Sequence, residues 1–485
     1  MISYSGNRLT FQETDEAGNY TATYVYSGDV TSSSKTPGRI DVISSPSSTS
    51  WSSKLLLGSL SDVFLPSGYP HSVSDDYLPY QIFDSLQAFC SSIAGLLSSR
   101  AVLQGVGVGN ANASPTSALL LHILQDISGR IATICFAHRI GTALEPECKT
   151  YRLAADVFND IAMILDCLSP GVPAGAPRVI VLSTAGVLRA LCGVAGGSSK
   201  ASLSAHFAKW GNLAELNAKD SSQETVISLF GMLVGSVVIS HITSFTTTWL
   251  LLLLLLSLHL SMNYAAVRAV QMTSLNRQRA NITFSTLLDS DNTLAVALNP
   301  DLAPIQSKSQ SQSKEWKILT PAQVSSLEQI FHRDGALQWT QHSPTHITSD
   351  HLGSAQIGVS MSTFLASMSY KEPLPLPRLA SVFAHESYIL FLAPSDGKWD
   401  ASILLKRGCG VGDQLKGWVH ALLAARVLGR ITGSSVDVVL AVVEGTLALL
   451  NSEGRFERYL VELRGVGWDV DIAALETRGG RRIHI

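Results

Sequence analysis

The sequence predicts a mainly α-helical protein with a polytopic helical membrane domain, a short β-rich N-terminal segment and a soluble α+β C-terminal domain. Three observations lead to this prediction. Charged residues make up only 15% of the chain, against roughly 25% in an average soluble protein, while hydrophobic residues reach 46%. Residues 225–267 contain no Asp, Glu, Lys or Arg at all. Segments with the character of strands occur at the two ends of the chain, outside this apolar middle.

The N-terminal segment, residues 1–53, is predicted to contain short strands and a linker. The strand candidates are RLTFQ, NYTATYVYS and RIDVISS, which are rich in β-branched and aromatic residues and are separated by Gly, Ser and Pro. The Ser-rich runs SSSKTPG and SSPSSTSWSSK are typical of flexible linkers.

Residues 54–280 form the predicted membrane domain. Four apolar segments that carry a few charges indicate helices at 80–104, 116–141, 151–168 and 178–197. Because a membrane-spanning helix needs roughly 20 apolar residues, the charge-free stretch suits two spans, 226–242 and 249–267, joined by TSFTTT. Lys and Arg residues lie just outside both ends of this charge-free stretch. By the positive-inside rule, both ends are expected on the same side of the membrane, the cytosolic or equivalent side. The alternative is a buried hairpin in a large soluble core, which the run WLLLLLLLSLHL makes the poorer interpretation.

The C-terminal part begins with a predicted linker, residues 281–315, that includes the low-complexity run NPDLAPIQSKSQSQSKEW. Residues 316–485 then indicate an α+β domain. The segment YILFLAPSDGKWDASILLKRG has the pattern of two strands around a Gly-containing turn. Three helical patterns follow: DQLKGWVHALLAARVLG, VDVVLAVVEGTLALLNSE and RFERYLVELRGVGWDVD.

Several function classes lack support in the sequence. The net charge of -3 indicates no nucleic-acid partner, and six scattered cysteines without a CxxC pair indicate neither a disulfide framework nor a zinc site. The chain has no GxSxG turn and no recognisable pyridoxal-phosphate lysine site. The glycine turn in RGCGVGDQLKGW (407–418) has the context of an ordinary strand-to-helix turn capped by Asp413. We therefore predict no catalytic residue, no metal, no cofactor and no enzyme, with this turn as the only basis for catalysis.

A polar entry precedes the first long helix. Pro66, Gly68 and Pro70 make a stiff, non-helical approach. Asp75 and Asp76, or Ser74 before them, could cap the helix that follows, or they could form the lip of a cavity together with His71.

Ionisable residues inside the apolar helices are the candidate site. A charge at membrane depth is costly, and it is a functional hypothesis by default. Facing inward, these residues would line a polar path or a cavity between helices. The alternative is that they are paired buried charges that only set helix register. The candidates are Asp84, Asp126, Arg130, Asp156, Asn159, Asp160, Lys219, Asp220 and Glu224. Asp126 with Arg130, and Arg152 with Asp156, have the i,i+4 spacing of helical ion pairs.

Long motifs in this region resemble the root UV-B sensitive family, whose domain is also labelled vitamin B6 photoprotection and homeostasis. The matching blocks are FLPSGYPHSVSDDYLPYQIFDSLQAFCSS, LQGVGVGNANASPTSA, YRLAADVFNDIAMILDCLSP, LSTAGVLRALCGVAGGSSKASLSAHFA and NLAELNAKDSSQETVISLFGMLVG. The chain departs from the family pattern at QDISGRIA, where the family has an Asp-Gly-x-Gly run. It departs again at Ser221, where the family has Gly.

The resemblance implies a membrane context and a homeostatic role. The leading hypothesis is an integral membrane protein of this family, transporter-like, in the homeostasis of a small molecule such as vitamin B6. The alternative is a membrane-anchored scaffold that acts through protein partners, without transport or catalysis. The expected partners are the lipid bilayer, a small-molecule substrate, and a protein partner or homologous family member. The organelle is not specified, and the N-terminus shows no cleavable signal peptide.

Overall fold

The computed structural model describes residues 2–5, 8–14, 20–27, 39–44, 64–108, 115–291, 294, 316–342, 347–368, 375–431 and 435–484. Within these residues the protein is mainly α-helical and contains two β-sheets. The predicted linker segments 45–54 and 295–315 lie outside the described residues. The chain divides into two compact units. The first unit comprises Met1–Ser114, Met163–Val181 and Lys200–Ala266, and the second comprises Pro115–Ala162, Leu182–Ser199 and Val267–Ile485.

Strands β1 to β4 form an antiparallel sheet in the first unit, in the order β1-β2-β3-β4. Strands β2, β3 and β4 lie in the segments whose β-branched and aromatic residues predict strands, whereas β1 was not predicted. Their bounds are Ile2–Ser5 for β1, Arg8–Thr14 for β2, Tyr20–Ser27 for β3 and Arg39–Ser44 for β4.

Six long helices follow these strands in the chain. They are α1 (Tyr77–Gly105), α2 (Pro115–Ile140), α3 (Cys148–Leu168), α4 (Ala176–Phe207), α5 (Leu213–His241) and α6 (Phe245–Ala269). Among the described residues, five helical segments are long and apolar enough to cross a membrane: α1, Leu119–Ala143, α4, α5 and α6. Helix α3 is not one of them, because it carries several charged residues along its length.

Three helix bounds differ clearly from the predictions. Helix α4 continues ten residues past 197, so that the run GVAGGSSK is helical. Helix α5 begins thirteen residues before 226, and α6 begins at Phe245, so the connection is only three residues long. The length of a charge-free stretch is a poor guide to the length of the helix, because Lys and Glu favour helix almost as well as Leu does.

Among the helices of the first unit, α1 and α5 pack most extensively against each other. A Cβ built on Gly231 would lie 2.8 Å from the Ser92 Cβ, and one on Gly235 would lie 2.7 Å from a methyl group of Leu96. The pair forms a G-x-x-x-G motif, whose small residues let two helix backbones approach closely. The opposite side of α5 is exposed and apolar, with Leu233 66% exposed.

The second unit is built on a five-stranded mixed sheet. Its strands are β5 (Ala336–His342), β6 (Ile347–Ile357), β7 (Tyr388–Ser395), β8 (Lys398–Lys406) and β9 (Arg482–Ile483). The order is β5-β6-β8-β7, and β9 pairs with the end of β8. The predicted hairpin is confirmed, since Asp396 and Gly397, both with positive φ, join β7 to β8.

Shorter helices surround this sheet. They are α7 (Arg277–Ser290), α8 (Pro321–Leu327), α9 (Met361–Ser367), α10 (Leu376–Val382), α11 (Val411–Leu428), α12 (Val436–Asn451) and α13 (Arg455–Gly465). The last three confirm the three predicted helical patterns, except that α13 ends at Gly465 and the predicted helical residues 466–471 lie outside it. Helix α11 packs on the sheet, and the indole N–H of its buried Trp418 donates to the side-chain oxygen of Asn281, at 2.9 Å. The linker predicted from residue 281 therefore starts too early, because 281–290 belong to the buried helix α7.

Candidate functional site

The polar entry to α1 is an irregular segment that contacts the end of α4. The backbone N–H of Ser74 donates to the carbonyl of Phe207, at 3.0 Å. Gly68 has a φ of +74°, and a Cβ there would lie 2.3 Å from the ring of Trp210. Only glycine fits this turn, because a side chain would be strained and would overlap the indole.

The acidic residues of this entry bind basic side chains and do not cap α1. The buried carboxylate of Asp76 lies 3.0 Å from Nε2 of His206, and the exposed Asp75 lies 3.3 Å from Nζ of Lys209. Asp76 occupies the N-cap position without a side-chain cap hydrogen bond, because its carboxylate is directed at His206. The capping interpretation is wrong for this residue. His71 is exposed.

A buried polar cluster lies where α1, α4 and α5 meet; we call Gln81, Asp84, Lys200, Asp220 and Gln223 the Lys200 cluster. Nζ of Lys200 is 2.8 Å from an oxygen of Asp220. The side-chain amide of Gln81 donates to the other oxygen of Asp220 and to the side-chain oxygen of Gln223, both at 2.8 Å. Asp84, on α1, accepts a hydrogen bond from Gln87, at 3.2 Å.

The Lys200 cluster has an excess of carboxylates. Lys200 also contacts Glu224, at 2.7 Å, so that its ammonium group faces two carboxylates. The buried carboxylate of Asp84 is a third one nearby. The space among these side chains measures about 10 Å³, which is enough for one water molecule. The charges are therefore closed into hydrogen bonds. Lys219 is half-buried on the same helix, α5.

Asp126 and Arg130 form the predicted i,i+4 pair, at 2.8 Å, but they are exposed. Their side chains are 54% and 76% accessible, respectively. Helix α2 faces α4 through Gly129, which contacts Ala190, and this rotates the charged pair outward. The expectation that these two residues line an internal cavity is wrong.

Helix α3 holds the remaining candidates. Arg152 and Asp156 form a buried ion pair, at 2.8 Å, as their spacing predicts. Asp160 is buried one turn further along the same helix, whereas Asn159 is half-buried. Asp156 and Asp160 belong to the second unit, whereas the Lys200 cluster belongs to the first.

A larger cavity occurs within the second unit, at residues that were not predicted. Its volume is about 320 Å³. We call it the Arg139–Arg478 cavity, after two of its lining residues. The side chains of Glu147, Tyr151, His332 and Thr477 also line this cavity.

Buried ion pairs support one wall of this cavity. Glu328 lies 2.6 Å from Nζ of Lys149 and 2.7 Å from Nη1 of Arg279. Burial acts to raise the pKa of Glu328, but the two cations hold it below its usual value. Glu147 accepts a hydrogen bond from Asn276, at 3.0 Å, and burial raises its pKa to about 7.

Sequence reasoning missed Lys200 and Glu147 for different reasons. Lys200 ends the Gly- and Ser-rich run GVAGGSSK, and helical periodicity through that run was the available signal. No pattern in the nearby sequence marks Glu147, because the residues that it contacts in space, Asn276 and His332, lie more than one hundred residues away along the chain.

Two further predictions concern metals and the glycine turn. Within the described ranges, His, Cys, Asp and Glu form no group of three or more that could hold a metal ion. In the turn after β8, the N–H of Gly410 donates to the carboxylate of Asp413, at 3.0 Å, which completes the predicted cap at the start of α11.

Comparison with known proteins adds a family to this geometry. The family model described as the vitamin B6 photo-protection and homoeostasis domain matches residues 50–291, about half of the chain. A Dictyostelium discoideum protein, RUS family member 1, is 45% identical over 48% of this chain, and the match spans 45% of that relative's length. The Arabidopsis thaliana protein root UVB sensitive 3 is 29% identical over 84% of this chain and 82% of its own length. No solved structure matches.

Proposed function

The chain belongs to the root UV-B sensitive family, and from this membership we propose that it is an integral membrane protein with a transporter-like role in the homeostasis of vitamin B6 species. The membrane part of the proposal is supported by the five helical segments that are long and apolar enough to span a bilayer. Large apolar side chains on these helices are exposed, which favours lipid as their surroundings over water.

The observation that carries the transport part is the Lys200 cluster. It places Lys200, Asp220 and Asp84 among three helices that are all candidate spans. Ionisable groups inside spanning helices are costly, and they mark substrate or proton pathways in many membrane proteins. The excess of carboxylates over ammonium groups suits the binding of a cation, a proton or a protonated nitrogen base. Vitamin B6 compounds contain a pyridine nitrogen that can be protonated.

Transport can be tested with the purified full-length chain in sealed proteoliposomes, by uptake of radiolabelled pyridoxine. We expect uptake above that of empty liposomes, and a decrease of at least tenfold in the double variant Lys200→Gln/Asp220→Asn. Replacing both partners leaves neither of these two charges buried alone, and Glu224, the other contact of Lys200, is 49% exposed, so this variant is expected to fold. The matched control is Asp437→Asn, whose side chain is 92% exposed.

A scaffold role is the second candidate, and one observation favours it. The charges of the Lys200 cluster are engaged in ion pairs and hydrogen bonds, and the space of about 10 Å³ beside Lys200 and Asp220 has room for only about one water molecule. This is what a purely structural cluster would look like. If folded wild-type chain takes up no more pyridoxine or pyridoxal phosphate than empty liposomes, the transport proposal fails and the scaffold role remains.

A further inference from the structure

The Arg139–Arg478 cavity has the size and composition of a ligand site. Its volume of about 320 Å³ falls within the range of small-molecule pockets. All of its lining residues belong to the second unit. They come from the end of α2, the start of α3, the segment before β5 and the segment before β9. Three stretches of chain, 139–151, 332–334 and 477–478, thus converge on one concave surface.

Two buried polar atoms in this cavity have no hydrogen-bond partner among the described residues. One is Oγ1 of Thr477, a residue that is only 5% exposed, and the other is Oε1 of Glu147. A buried polar atom without a partner costs roughly 1–3 kcal/mol, so such atoms are rare unless a ligand or water meets them. Both residues line the cavity.

Two arginines at the same cavity have no acidic partner within 4 Å among the described residues. Arg139 and Arg478 are both exposed and both line the cavity. Most other arginines of the second unit are engaged, as Arg277 is with Asp334 at 2.5 Å. Unpaired guanidinium groups are suited to phosphate, which they can bind through two parallel hydrogen bonds.

We propose that the Arg139–Arg478 cavity binds the phosphate group of a phosphomonoester, with the two guanidinium groups as its charge partners and the hydroxyl of Thr477 as a donor. Nothing in this proposal depends on the Lys200 cluster or on transport.

The two carboxyl groups of the cavity are compatible with an anion. Asp334 is neutralised by Arg277. Burial raises the pKa of Glu147 to about 7, so that near neutral pH a large share of this group carries a proton. The protonated carboxyl can donate a hydrogen bond to a phosphate oxygen from Oε1. His332 remains uncharged at this pH, because burial lowers its pKa.

The phosphomonoester could come from water or from a membrane. Arg139 lies near the end of the apolar segment Leu119–Ala143, which is where lipid headgroups would lie if that segment spans a bilayer. A soluble metabolite and a lipid with a phosphomonoester headgroup offer the same chemistry to the two arginines. The experiment must therefore contain both.

The test uses the full-length chain in nanodiscs of phosphatidylcholine. Binding of phenyl phosphate is measured by calorimetry, and binding of phosphatidic acid is measured by adding this lipid to the nanodiscs and following the thermal unfolding midpoint. We expect at least one of the two to bind, and the double variant Arg139→Gln/Arg478→Gln to weaken that binding at least tenfold. The control is Arg407→Gln/Arg430→Gln, which removes two exposed arginines of the same unit that do not line this cavity.

Thr477→Val provides a second readout. It removes the hydroxyl and preserves the shape of the side chain, so we expect binding to weaken about threefold to tenfold. The free protein should be as stable as the wild type or more so, because an unpaired buried oxygen is lost.

Binding of phenyl phosphate alone assigns the site to a soluble metabolite, and binding of phosphatidic acid alone assigns it to a lipid. If neither probe binds, or if the arginine double variant binds like its control, the proposal is wrong.

Discussion

At the scale of single residues, Glu147 illustrates how one buried group can make stability depend on pH. Its usual pKa of 4.5 is raised to about 7 in the folded chain, mainly by burial. Between these two values the folded chain keeps a proton that the unfolded chain releases. Folding is therefore progressively disfavoured as pH rises from about 4.5 to 7, by roughly 3 kcal/mol in total.

The variant Glu147→Gln tests this dependence. Glutamine keeps the oxygen that accepts from Asn276 but cannot ionise, so we expect its free energy of unfolding to fall less than that of the wild type between pH 4.5 and 7. The measurement is the thermal unfolding midpoint of detergent-solubilised chain across this range. An exposed control, Glu453→Gln, should retain the wild-type dependence. Equal slopes for wild type and Glu147→Gln would contradict the assignment.

At the scale of elements, the contact between α1 and α5 depends on two glycines in one helical stripe. Gly231 approaches Ser92 and Gly235 approaches Leu96, closely enough that any side chain would force the helices apart. The same two helices hold Gln81 and Asp220, whose hydrogen bond requires this close approach. The glycines thus position the Lys200 cluster without belonging to it.

Replacing Gly231 by Leu should therefore destabilise the first unit. We expect a loss of about 2 kcal/mol or more, because a side chain inserted into a packed contact forces the backbone to shift. The measurement is the unfolding midpoint in detergent, together with the pyridoxine uptake described above. Gly193→Ala is the matched control, because no atom lies within 4 Å of a Cβ built there. A Gly231→Leu chain as stable as this control would show that the close approach is not required.

At the scale of the whole molecule, the proposed placement of the helices in a membrane would account for the apolar surface of α5 and α6. Helix α5 is 29 residues long, which at 1.5 Å per residue is about 43 Å and exceeds the roughly 30 Å hydrocarbon core of a bilayer. Side chains such as Phe230 and Leu250 are more than half exposed on these helices. In water such a surface would promote aggregation.

Thiol labelling in sealed vesicles tests this placement. In a variant whose six native cysteines are replaced by alanine, single cysteines are introduced by Ala214→Cys, at the start of α5, and by Ser244→Cys, in the connection to α6. Because α5 should cross the membrane once, we expect an impermeant reagent to label one site in intact vesicles and the other only after permeabilisation. Labelling of both sites in intact vesicles would favour the buried hairpin in a soluble core.

Local sequence patterns determined much of the architecture. The helical segments of the apolar middle, the β7–β8 hairpin and the three C-terminal helices follow from composition and periodicity, which act over a few neighbouring residues. The pairing of Arg152 with Asp156 was predictable for the same reason, because both lie on one helix one turn apart. The family was recognisable from long motifs that need no tertiary information.

Only the tertiary structure decided which polar residues meet. Asp76 binds His206 and Asp220 binds Lys200, across helices whose relative rotation no local pattern encodes. The same rotation leaves Asp126 and its partner exposed, although their spacing is identical to that of the buried pair on α3. The Arg139–Arg478 cavity is built from three distant stretches of chain, so its side chains have no shared signal along the sequence. Contacts between remote residues are set by packing over the whole fold, and a single sequence read along its length contains that information only implicitly.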